Sequence, residues 1–560
     1  MVRWLAPALA TLLLIMGVVP SSTAAARALH DFDPVTLAAY IDFRFSSSVP
    51  LPFIRTVLAA DRFSARDLSL VSSWIRGGAP LAGRASVKAR RYHGARLISR
   101  DRLACPKSDP NCQLDTEVEP DIAVNPVRPN NVVGVFQMGR YSNGGAVDTG
   151  WSASFDGGRT WRVRGPAPGL TVQVSRASTR GPGAPFARAS DPVVAFDRKH
   201  HRVLLESIAV ADAGCAVFCD SAITLNISKN GGRSFGPPVI VHENVARESH
   251  PPIVFNDKEW IVTDNNPKSP HFGRTYVAWD QVRCADPQCN AITQQPVEVT
   301  HSDDGGRTWS RVKDAVNLRP GLAHQDVGVE PVVLPNGHVV IVYADALPGA
   351  YTFAGQYKAI RSTDGGRTWS KPKLITTADP FLEENNHLRA PNIPSAAVTR
   401  GGKIWVAYQD QRFGSGRNDI VMQHSSDEGK TWSAPVNATP KETGIDHFSP
   451  AIAARGSIVF LTYRSHLPVN VRVSPSVNAM FRKLRAGLTV KGPIRLFRPS
   501  NSDLAAFSTG GALKFFGDYA GIAVGGMYAH PIWGLSRKFR HQRANPTNTH
   551  ERMYSSRVRR

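Results

Sequence analysis

The chain has 560 residues, of which 42% are hydrophobic and 20% are charged. Charged residues are too few for a disordered polyelectrolyte, and the hydrophobic share predicts a folded protein with a substantial core. The 67 Lys and Arg against 45 Asp and Glu give a formal charge of +22. That charge raises nucleic acid, an anionic surface or an acidic substrate as partners without choosing among them.

The first 26 residues have the features of a secretory signal peptide. Arg3 is basic, the stretch from Leu9 to Val19 is apolar, and small residues follow from Ser21 to Ala26. The apolar stretch is shorter than the roughly 20 residues of a membrane-spanning helix, which disfavours a retained anchor. No other segment is long enough to span a bilayer after cleavage. The sequence therefore predicts a secreted or cell-envelope protein.

Two flanks surround a repetitive central region. Residues 27–103 have helix-like apolar spacing at Pro34 to Phe43 and at Arg55 to Ile75, which predicts a small, partly helical appendage. Residues 538–560 are basic and are expected to form a solvated tail. Because much of the net positive charge lies in these flanks, an anionic cell surface is a candidate partner for them.

A turn sequence of the form Ser-x-Asp-x-Gly-x-Thr-Trp recurs five times, three times strictly and twice loosely. The copies begin at Ser154, Ser228, Ser302, Ser362 and Ser425. Each copy follows a strand-like run and ends where another begins, so we interpret it as a hairpin turn. Asp accepts hydrogen bonds from backbone amides in such a turn, and Gly adopts the positive φ that the reversal requires. A calcium loop is the alternative, but no bidentate Glu closes the copies.

Strand-like pairs of runs precede the turns and continue beyond them. Seven pairs begin at Glu119, Asp191, Lys258, Glu330, Ile393, Ser449 and Gly521. Units of four short strands predict an all-β fold, a β-propeller over residues 104–537. Seven blades are expected, with six blades plus a cap as the alternative. The last unit lacks its outer strands, and the flank from Tyr92 to Ser99 is a candidate to close the ring.

Six cysteines fall into three close pairs. They are Cys105 with Cys112, Cys215 with Cys219, and Cys284 with Cys289. An even count in an exported chain predicts three disulfides that close small loops. The alternative is a zinc site at the second pair, but no matching pair or His ligands accompany it. We therefore expect neither a metal nor a cofactor.

The five turns resemble the Asp boxes, or BNR repeats, of the sialidase superfamily. The resemblance covers about residues 104–536 and implies a propeller of the sialidase type. It also implies a glycan or glycoconjugate as partner, sialylated if the protein is an exo-α-sialidase. Asp boxes occur in propellers that are not sialidases, so the resemblance is more specific for the fold than for the reaction.

Blade topology separates structural residues from candidate catalytic ones. The start of the first strand and the loop between the second and third strands open on one face, whereas the Asp boxes open on the other. A central funnel should therefore collect residues from strand starts and from the ends of second strands. The aspartates of the Asp boxes are expected to be structural.

A sialidase needs arginines that grip the sugar carboxylate, a carboxylic acid, and a Tyr nucleophile paired with Glu. By position, Arg412, Arg464 and Arg537 are the candidate clamps, with Arg389 as a substitute for a first clamp that we do not identify. The candidate acid is Asp121 or Asp191, and the candidate nucleophile is Tyr519 with Glu330 or Glu119 as its partner. Each of these residues could equally form a salt bridge or a turn cap at a blade edge.

Three classes of function compete. An exported exo-glycosidase that cleaves terminal acidic sugars is one, although the Arg-Ile-Pro motif usual in sialidases has no match in the sequence. A non-catalytic propeller that binds a glycan or a protein on the same face is the second. Nucleic-acid binding is the third, and it is disfavoured because no helix-turn-helix, zinc finger or aromatic RNA-binding signature is present.

Overall fold

The computed structural model describes residues 94–560 except 104, 106–107, 175–185, 211–220, 245–253, 285–291, 317–324, 347–354, 379–387, 414–416, 441, 443, 467–475, 486–490, 498, 508–512 and 540–548. Residues 89–560 form one compact unit. The predicted signal peptide and residues 27–93 of the predicted appendage lie outside the described residues. In the described part of the chain, no helix is both long and apolar enough to cross a bilayer.

Strands make up nearly all of the regular structure. The first are β1 (Arg96–Leu97), β2 (Cys112–Gln113), β3 (Asp121–Val124), β4 (Val132–Tyr141), β5 (Ala146–Ser154), β6 (Arg162–Pro166), β7 (Arg188–Asp197), β8 (Arg202–Val210), β9 (Ser221–Ser228), β10 (Pro238–Asn244), β11 (Val254–Thr263) and β12 (Thr275–Cys284). The next are β13 (Ile292–Gln294), β14 (Val297–Ser302), β15 (Lys313–Asp314), β16 (Gln325–Val333), β17 (Val339–Ala346), β18 (Gly355–Ser362), β19 (Lys373–Thr377), β20 (Leu388–Arg389), β21 (Ser395–Val398), β22 (Ile404–Asp410), β23 (Asp419–Ser425) and β24 (Val436–Asn437). The last are β25 (Asp446–Arg455), β26 (Ile458–His466), β27 (Ser476–Arg485), β28 (Lys491–Arg495), β29 (Ser500–Asn501), β30 (Ala506–Phe507), β31 (Lys514–Phe515), β32 (Gly521–Gly525), β33 (Tyr528–Ser536), β34 (Glu551–Ser555) and β35 (Val558–Arg559), with one 3₁₀ turn at Ser502–Leu504.

The described strands form a closed ring of four-stranded antiparallel sheets. Seven such sheets follow one another in the described ranges: β3 to β6, β7 to β10, β11, β12, β14 and β15, β16 to β19, β21 to β24, β25 to β28, and β32 to β34 with β1. We call them blades 1 to 7 in that order. The first strand of each blade contacts the first strand of the next, and β32 contacts β3. The fold is the predicted all-β propeller.

The hydrophobic core lies between neighbouring blades. Each pair of adjacent blades encloses one cluster of buried apolar side chains, and the ring closes through a cluster that joins blades 7 and 1. A middle strand is therefore covered on both faces. Val339 to Tyr343 in β17, all of them apolar, have no exposed surface. This explains why the second strands are continuous apolar runs in the sequence rather than alternating ones.

The Asp boxes form the hairpins between third and fourth strands, as the sequence predicts. In the box that follows β23, Ser425 Oγ donates to Asp427 Oδ1 at 2.8 Å. The same carboxylate accepts Thr431 N at 2.9 Å and Thr431 Oγ1 at 2.6 Å. The hydrogen bond from the Thr431 hydroxyl is the main cause that lowers the pKa of Asp427 to about 2. The carboxylate is thus saturated within its own turn.

The last blade corrects two predicted boundaries. Residues 538–560 are not a solvated tail throughout, because β34 pairs with β33 on one side and with β1 on the other. Met553 in β34 is fully buried, and its carbonyl accepts Ile98 N at 3.0 Å. The flank from Tyr92 to Ser99, the predicted candidate to close the ring, supplies β1 to this blade, so the propeller begins before the predicted boundary at residue 104. Basic residues in the segment hid the strand, since Arg552 flanks the buried Met553 directly.

The cysteine predictions are tested in part. Cys105 and Cys112 form the expected disulfide, and Cys284 is also disulfide-bonded. Cys215, Cys219 and Cys289 lie outside the described residues. Among the residues that the structure does describe, no cluster of three or more His, Cys, Asp and Glu is placed to hold a metal ion.

Candidate active-site funnel

The first strands of several blades begin with the same backbone irregularity, which turns polar residues toward the axis of the ring. The register of the first and second strands shifts at this point in blades 2, 3, 4 and 6. Two positions before regular pairing resumes, φ is positive at Glu119 (53°), Asp191 (47°), Lys258 (45°), Gly328 (67°) and Ser449 (47°). For the residues other than Gly this backbone conformation costs about 1–2 kcal/mol each. Strain repeated at one level of the ring is typical of a functional site.

A hydrogen-bonded carboxyl pair lies at the base of the funnel. The side chains of Glu119 and Asp191 are hydrogen-bonded to each other. Gln137 donates to Glu119 and, at 2.8 Å, to Ser190 Oγ, which donates to Asp191 Oδ1 at 2.5 Å. Arg140 Nη1 donates to Gln137 Oε1 at 2.8 Å. Burial, and then the negative charges nearby, raises the pKa of Glu119 well above its usual range.

An ion pair forms the more exposed edge of the funnel. Arg389 Nε and Nη2 donate to the two carboxylate oxygens of Asp518 at 2.8 and 2.7 Å. One third of the Arg389 side chain is exposed, against 18% of Asp518. Asp257 is half-buried nearby, and burial followed by the charges of Asp191 and Asp518 raises its pKa to about 7. Asp518 thus neutralises the exposed guanidinium at this edge of the funnel.

Aromatic rings cover a buried ammonium beside this ion pair. Lys258 Nζ lies 4.2 Å from the ring centroid of Trp260 and 3.8 Å from that of Tyr519. The two rings meet edge to face. Together with Glu330 and Asp518 these residues line a cavity of about 20 Å³, which holds about one water molecule. We call Trp260, Arg389, Asp518 and Tyr519, with this cavity, the funnel mouth.

Tyr519 is not arranged as an activated nucleophile. Its hydroxyl donates to the carbonyl of Pro192 at 3.3 Å. Burial, and then the charges of Asp191 and Glu119, raises the pKa of Tyr519 well above its usual value. In the described residues no hydrogen bond joins this hydroxyl to Glu330 or Glu119.

Two of the predicted acids connect neighbouring blades. Asp121 Oδ2 accepts Val194 N of the next blade at 2.9 Å, and burial raises the pKa of Asp121 to about 6. Glu330 accepts hydrogen bonds from Ala396 N and from Ser395 in blade 5, and burial raises its pKa to about 8. Both carboxyls lie near the axis, but each bonds the backbone of the following blade.

Three of the four predicted clamp arginines do not reach the funnel mouth. Arg412 forms a bidentate ion pair with Asp410 at 2.9 and 2.7 Å. Arg464 is buried and donates to the carbonyls of Gly534 and Phe516 at 3.3 and 3.4 Å. Arg537 lies over the rings of Phe497 and Phe539. Only Arg389 lies at the funnel mouth, where Asp518 engages it.

Lys258 and Trp260 are the residues that sequence reasoning missed. The sequence predicts the start of the third strand pair at Lys258, but neither Lys258 nor Trp260 is among the candidate site residues. In the structure Lys258 has the position that Glu119 and Asp191 have in their blades, two residues before regular pairing. Aligning the blades on this irregularity would have placed Lys258 and Trp260 at the axis.

Comparison with known proteins agrees with the repeat. The model of the BNR repeat-like domain matches residues 173–441. A sialidase of Bacteroides fragilis (strain YCH46) is 34% identical over 95 residues, which are 14% of this chain and 18% of that protein. The chain thus matches less than a fifth of that relative.

Solved structures of similar proteins include two sialidase-type enzymes and one arabinofuranosidase. The Hadza microbial sialidase Hz136 is 15% identical with a TM-score of 0.42, and the match covers 66% of each chain. The intramolecular trans-sialidase from Ruminococcus gnavus is 13% identical with a TM-score of 0.38, covering 63% of this chain and 89% of that one. The α-L-arabinofuranosidase of Fusarium graminearum is 13% identical with a TM-score of 0.42, covering 70% and 98%.

The Asp boxes are the repeat that the family is named for, and in this ring they form the hairpins of blades 1 to 5. Their Ser, Asp or Asn, Gly, and Thr or Ser make the hydrogen bonds within each turn. The match to the BNR repeat-like domain and the five Asp boxes support the resemblance of this propeller to the sialidase superfamily.

Proposed function

We propose that the funnel mouth binds an uncharged sugar and does not cleave sialosides. The observation that carries this proposal is the bidentate Arg389 and Asp518 pair beside the half-buried Trp260. A planar ion pair offers both donors and acceptors to adjacent hydroxyl groups, and an indole ring packs against the C–H face of a sugar. Sites with a few oriented polar groups around an aromatic surface are typical of small-ligand pockets.

The charge of the funnel disfavours an acidic sugar. Asp518 already neutralises Arg389, the exposed cation at the funnel mouth, and the Lys258 side chain is buried under the rings of Trp260 and Tyr519. A sugar carboxylate brought to this site would meet the carboxylate of Asp518, which costs affinity, rather than a free guanidinium. A neutral sugar meets no such repulsion.

The state of Tyr519 also supports binding without sialidase chemistry. A nucleophilic Tyr needs a base or a lowered pKa. Here burial and neighbouring carboxylates raise the pKa of Tyr519, and its hydroxyl proton is held by the Pro192 carbonyl. Forming the phenolate in this position would place a new negative charge among existing ones.

Hydrolysis of a neutral glycoside is the second candidate function. The observation that favours it is the hydrogen-bonded pair of Glu119 and Asp191, in which Glu119 has a strongly raised pKa. Two hydrogen-bonded carboxyls that share a proton can act together as general acid and general base on a bound water. Turnover of a neutral glycoside that Glu119→Gln stops would support this candidate over simple binding.

The proposal predicts that two substitutions at the funnel mouth remove sugar binding. Binding of the full mature chain to a panel of galacto-, gluco-, manno- and arabino-oligosaccharides is measured on an array and by calorimetry. Asp518→Asn and Trp260→Ala should each weaken binding about 10-fold or more, because each removes a charged hydrogen bond or a packing surface worth about 1.5–3 kcal/mol.

A matched control is available in blade 5. Asp410→Asn breaks the same type of bidentate pair, with Arg412, but Asp410 does not line the cavity. Binding by this variant should remain within about twofold of wild type, since an effect of less than about 0.4 kcal/mol is expected from a remote site. Equal losses in Asp410→Asn and Asp518→Asn, or wild-type binding by Asp518→Asn, would refute the proposal.

A further inference from the structure

A second pocket lies on the face opposite the funnel. It is lined by the hairpin between β3 and β4, the hairpin between β7 and β8, and the Asp boxes that follow β5 and β9. Its volume is about 690 Å³, within the range of about 300–1,000 Å³ typical of ligand pockets. We call it the hairpin-face pocket. It shares no residue with the funnel mouth.

The accessible charge of the hairpin-face pocket is positive. Its cationic lining residues are Arg128, Arg198, Arg202, Lys229 and Arg233. The carboxylate in the lining, Asp197, has no exposed side-chain surface and accepts His200 N at 3.0 Å and His200 Nδ1 at 2.6 Å. Five cations around one shielded carboxylate attract an anionic ligand.

Arg202 supplies an independent reason to expect a ligand. The residue is only 9% exposed, and its Nε has no hydrogen-bond partner within the described part of the protein. It lies so close to the third Asp box that a β-carbon at Gly305 would be 2.8 Å from Nε. A buried guanidinium N–H without a partner is costly, and an anion bound beside Arg202 would offset that cost through its charge.

The neighbouring side chains are held in place for binding. The guanidinium of Arg233 lies 3.9 Å from the ring centroid of Phe155, and Arg233 Nη1 donates to Asn230 O at 3.1 Å. Stacking on Phe155 holds the Arg233 cation at the rim, and the buried Arg202 is a second cation deeper in the pocket. Because Arg233 lies at the rim and Arg202 lies deeper in the same pocket, the two cations suit a ligand that carries several anionic groups along a short chain.

We propose that the hairpin-face pocket binds an acidic oligosaccharide, with one anionic group on Arg202 and further anionic groups on Lys229 and Arg233. A pocket of this volume admits a few sugar rings but not a nucleic-acid duplex. The carboxylate of a uronic acid and the sulfate of a sulfated sugar share the chemistry that Arg recognises through charge-assisted hydrogen bonds. This site is separate from the neutral-sugar site proposed for the funnel.

The test measures binding of the full mature chain to four probes by calorimetry. They are a heparin-derived hexasaccharide, a hyaluronan hexasaccharide that carries carboxylates alone, a neutral chito-hexasaccharide and a single-stranded oligonucleotide. At least one acidic hexasaccharide should bind, and which one identifies sulfate or carboxylate as the recognised group. Equal binding of the neutral hexasaccharide, or tighter binding of the oligonucleotide, would overturn the proposal.

Substitutions locate the binding. Arg202→Gln should weaken binding of the acidic hexasaccharide about 10-fold or more, and Lys229→Gln about threefold, in proportion to their burial. Arg307→Gln is the matched control, because Arg307 has the position of Arg233 in the next Asp box and lies outside the pocket. If Arg202→Gln unfolds, the exposed double variant Lys229→Gln with Arg233→Gln replaces it. Wild-type affinity in that variant, or an equal loss in Arg307→Gln, would contradict the proposal.

Discussion

Ending the chain after Lys538 is expected to prevent the propeller from folding. The truncation removes β34, which lies between β33 and β1 and closes the last blade. It also removes Met553 from the cluster that contains Ile98, Phe136 and Ile532 and seals blade 7 against blade 1. Losing a single buried Met side chain costs about 2–5 kcal/mol, and the strand pairing is lost in addition. Circular dichroism and calorimetry should find no cooperative melting transition.

Two further variants separate the loss of the strand from the loss of charge. Met553→Ala keeps the chain length and should lower the free energy of unfolding by about 2–5 kcal/mol. Arg559→Ser combined with Arg560→Ser removes two exposed charges from the same segment and should leave the melting temperature almost unchanged, because surface substitutions are usually within about 0.5 kcal/mol. A truncated protein that melts like wild type would show that β34 is dispensable.

The stability of the protein is expected to fall as the pH rises from 6 to 9. Burial raises the pKa of Glu330 to about 8 in the folded state, whereas an unfolded Glu titrates near 4.3. The folded protein therefore retains a proton that the unfolded chain has released, and stability is lost as the pH rises through the folded pKa. Asp257, whose pKa burial raises to about 7, adds to the same trend.

Two buried histidines contribute the opposite trend. Burial lowers the pKa of His447 to about 3 and that of His530 to about 4. Both side chains stay neutral in the folded state while the unfolded chain takes up protons below about pH 6.5, so their contribution to stability falls as the solution becomes more acidic. Between about pH 4 and pH 6.5 the histidines and the buried carboxyls oppose each other, so together they predict a broad maximum of stability in that interval.

Glu330→Gln tests this account at one residue. The amide keeps an acceptor for Ala396 N but cannot ionise, so the variant should gain about 3 kcal/mol relative to wild type between pH 6 and pH 9, at about 1.4 kcal/mol per pKa unit. Glu243→Gln replaces an exposed carboxylate and should follow the wild-type curve. Urea unfolding at pH 6 and pH 9 measures both. A wild-type free energy of unfolding that is constant or rises between pH 6 and pH 9 would contradict the raised pKa of Glu330.

The sequence predicted the fold better than the site because the two depend on different distances along the chain. An Asp box is complete within eight residues, and Asp427 needs only its neighbours Ser425 and Thr431. The Arg389 and Asp518 pair joins residues 129 positions apart, so no local pattern reveals that Arg389 is already neutralised. Lys258 likewise reaches the axis of the ring because its backbone has a positive φ, which a Lys residue does not favour.

The same reasoning explains the error at the C-terminal end. In β34 Arg552 is partly exposed and the other four residues, the charged Glu551 among them, are buried, so the strand gives no alternating period in the sequence. β34 pairs on one side with β33, which precedes it in the chain, and on the other side with β1, which lies more than 450 residues earlier. The missing outer strands of the last unit pointed to the flank from Tyr92 to Ser99, which supplies β1, but nothing local pointed to β34.

Saturation-transfer NMR with one oligosaccharide in two forms, with and without a terminal sialic acid, tests the central claim most directly. The wild-type protein should transfer saturation to the neutral form, Trp260→Ala should not, and no free sialic acid should appear from the sialylated form. Release of sialic acid by wild type, abolished in Tyr519→Phe, would contradict the account.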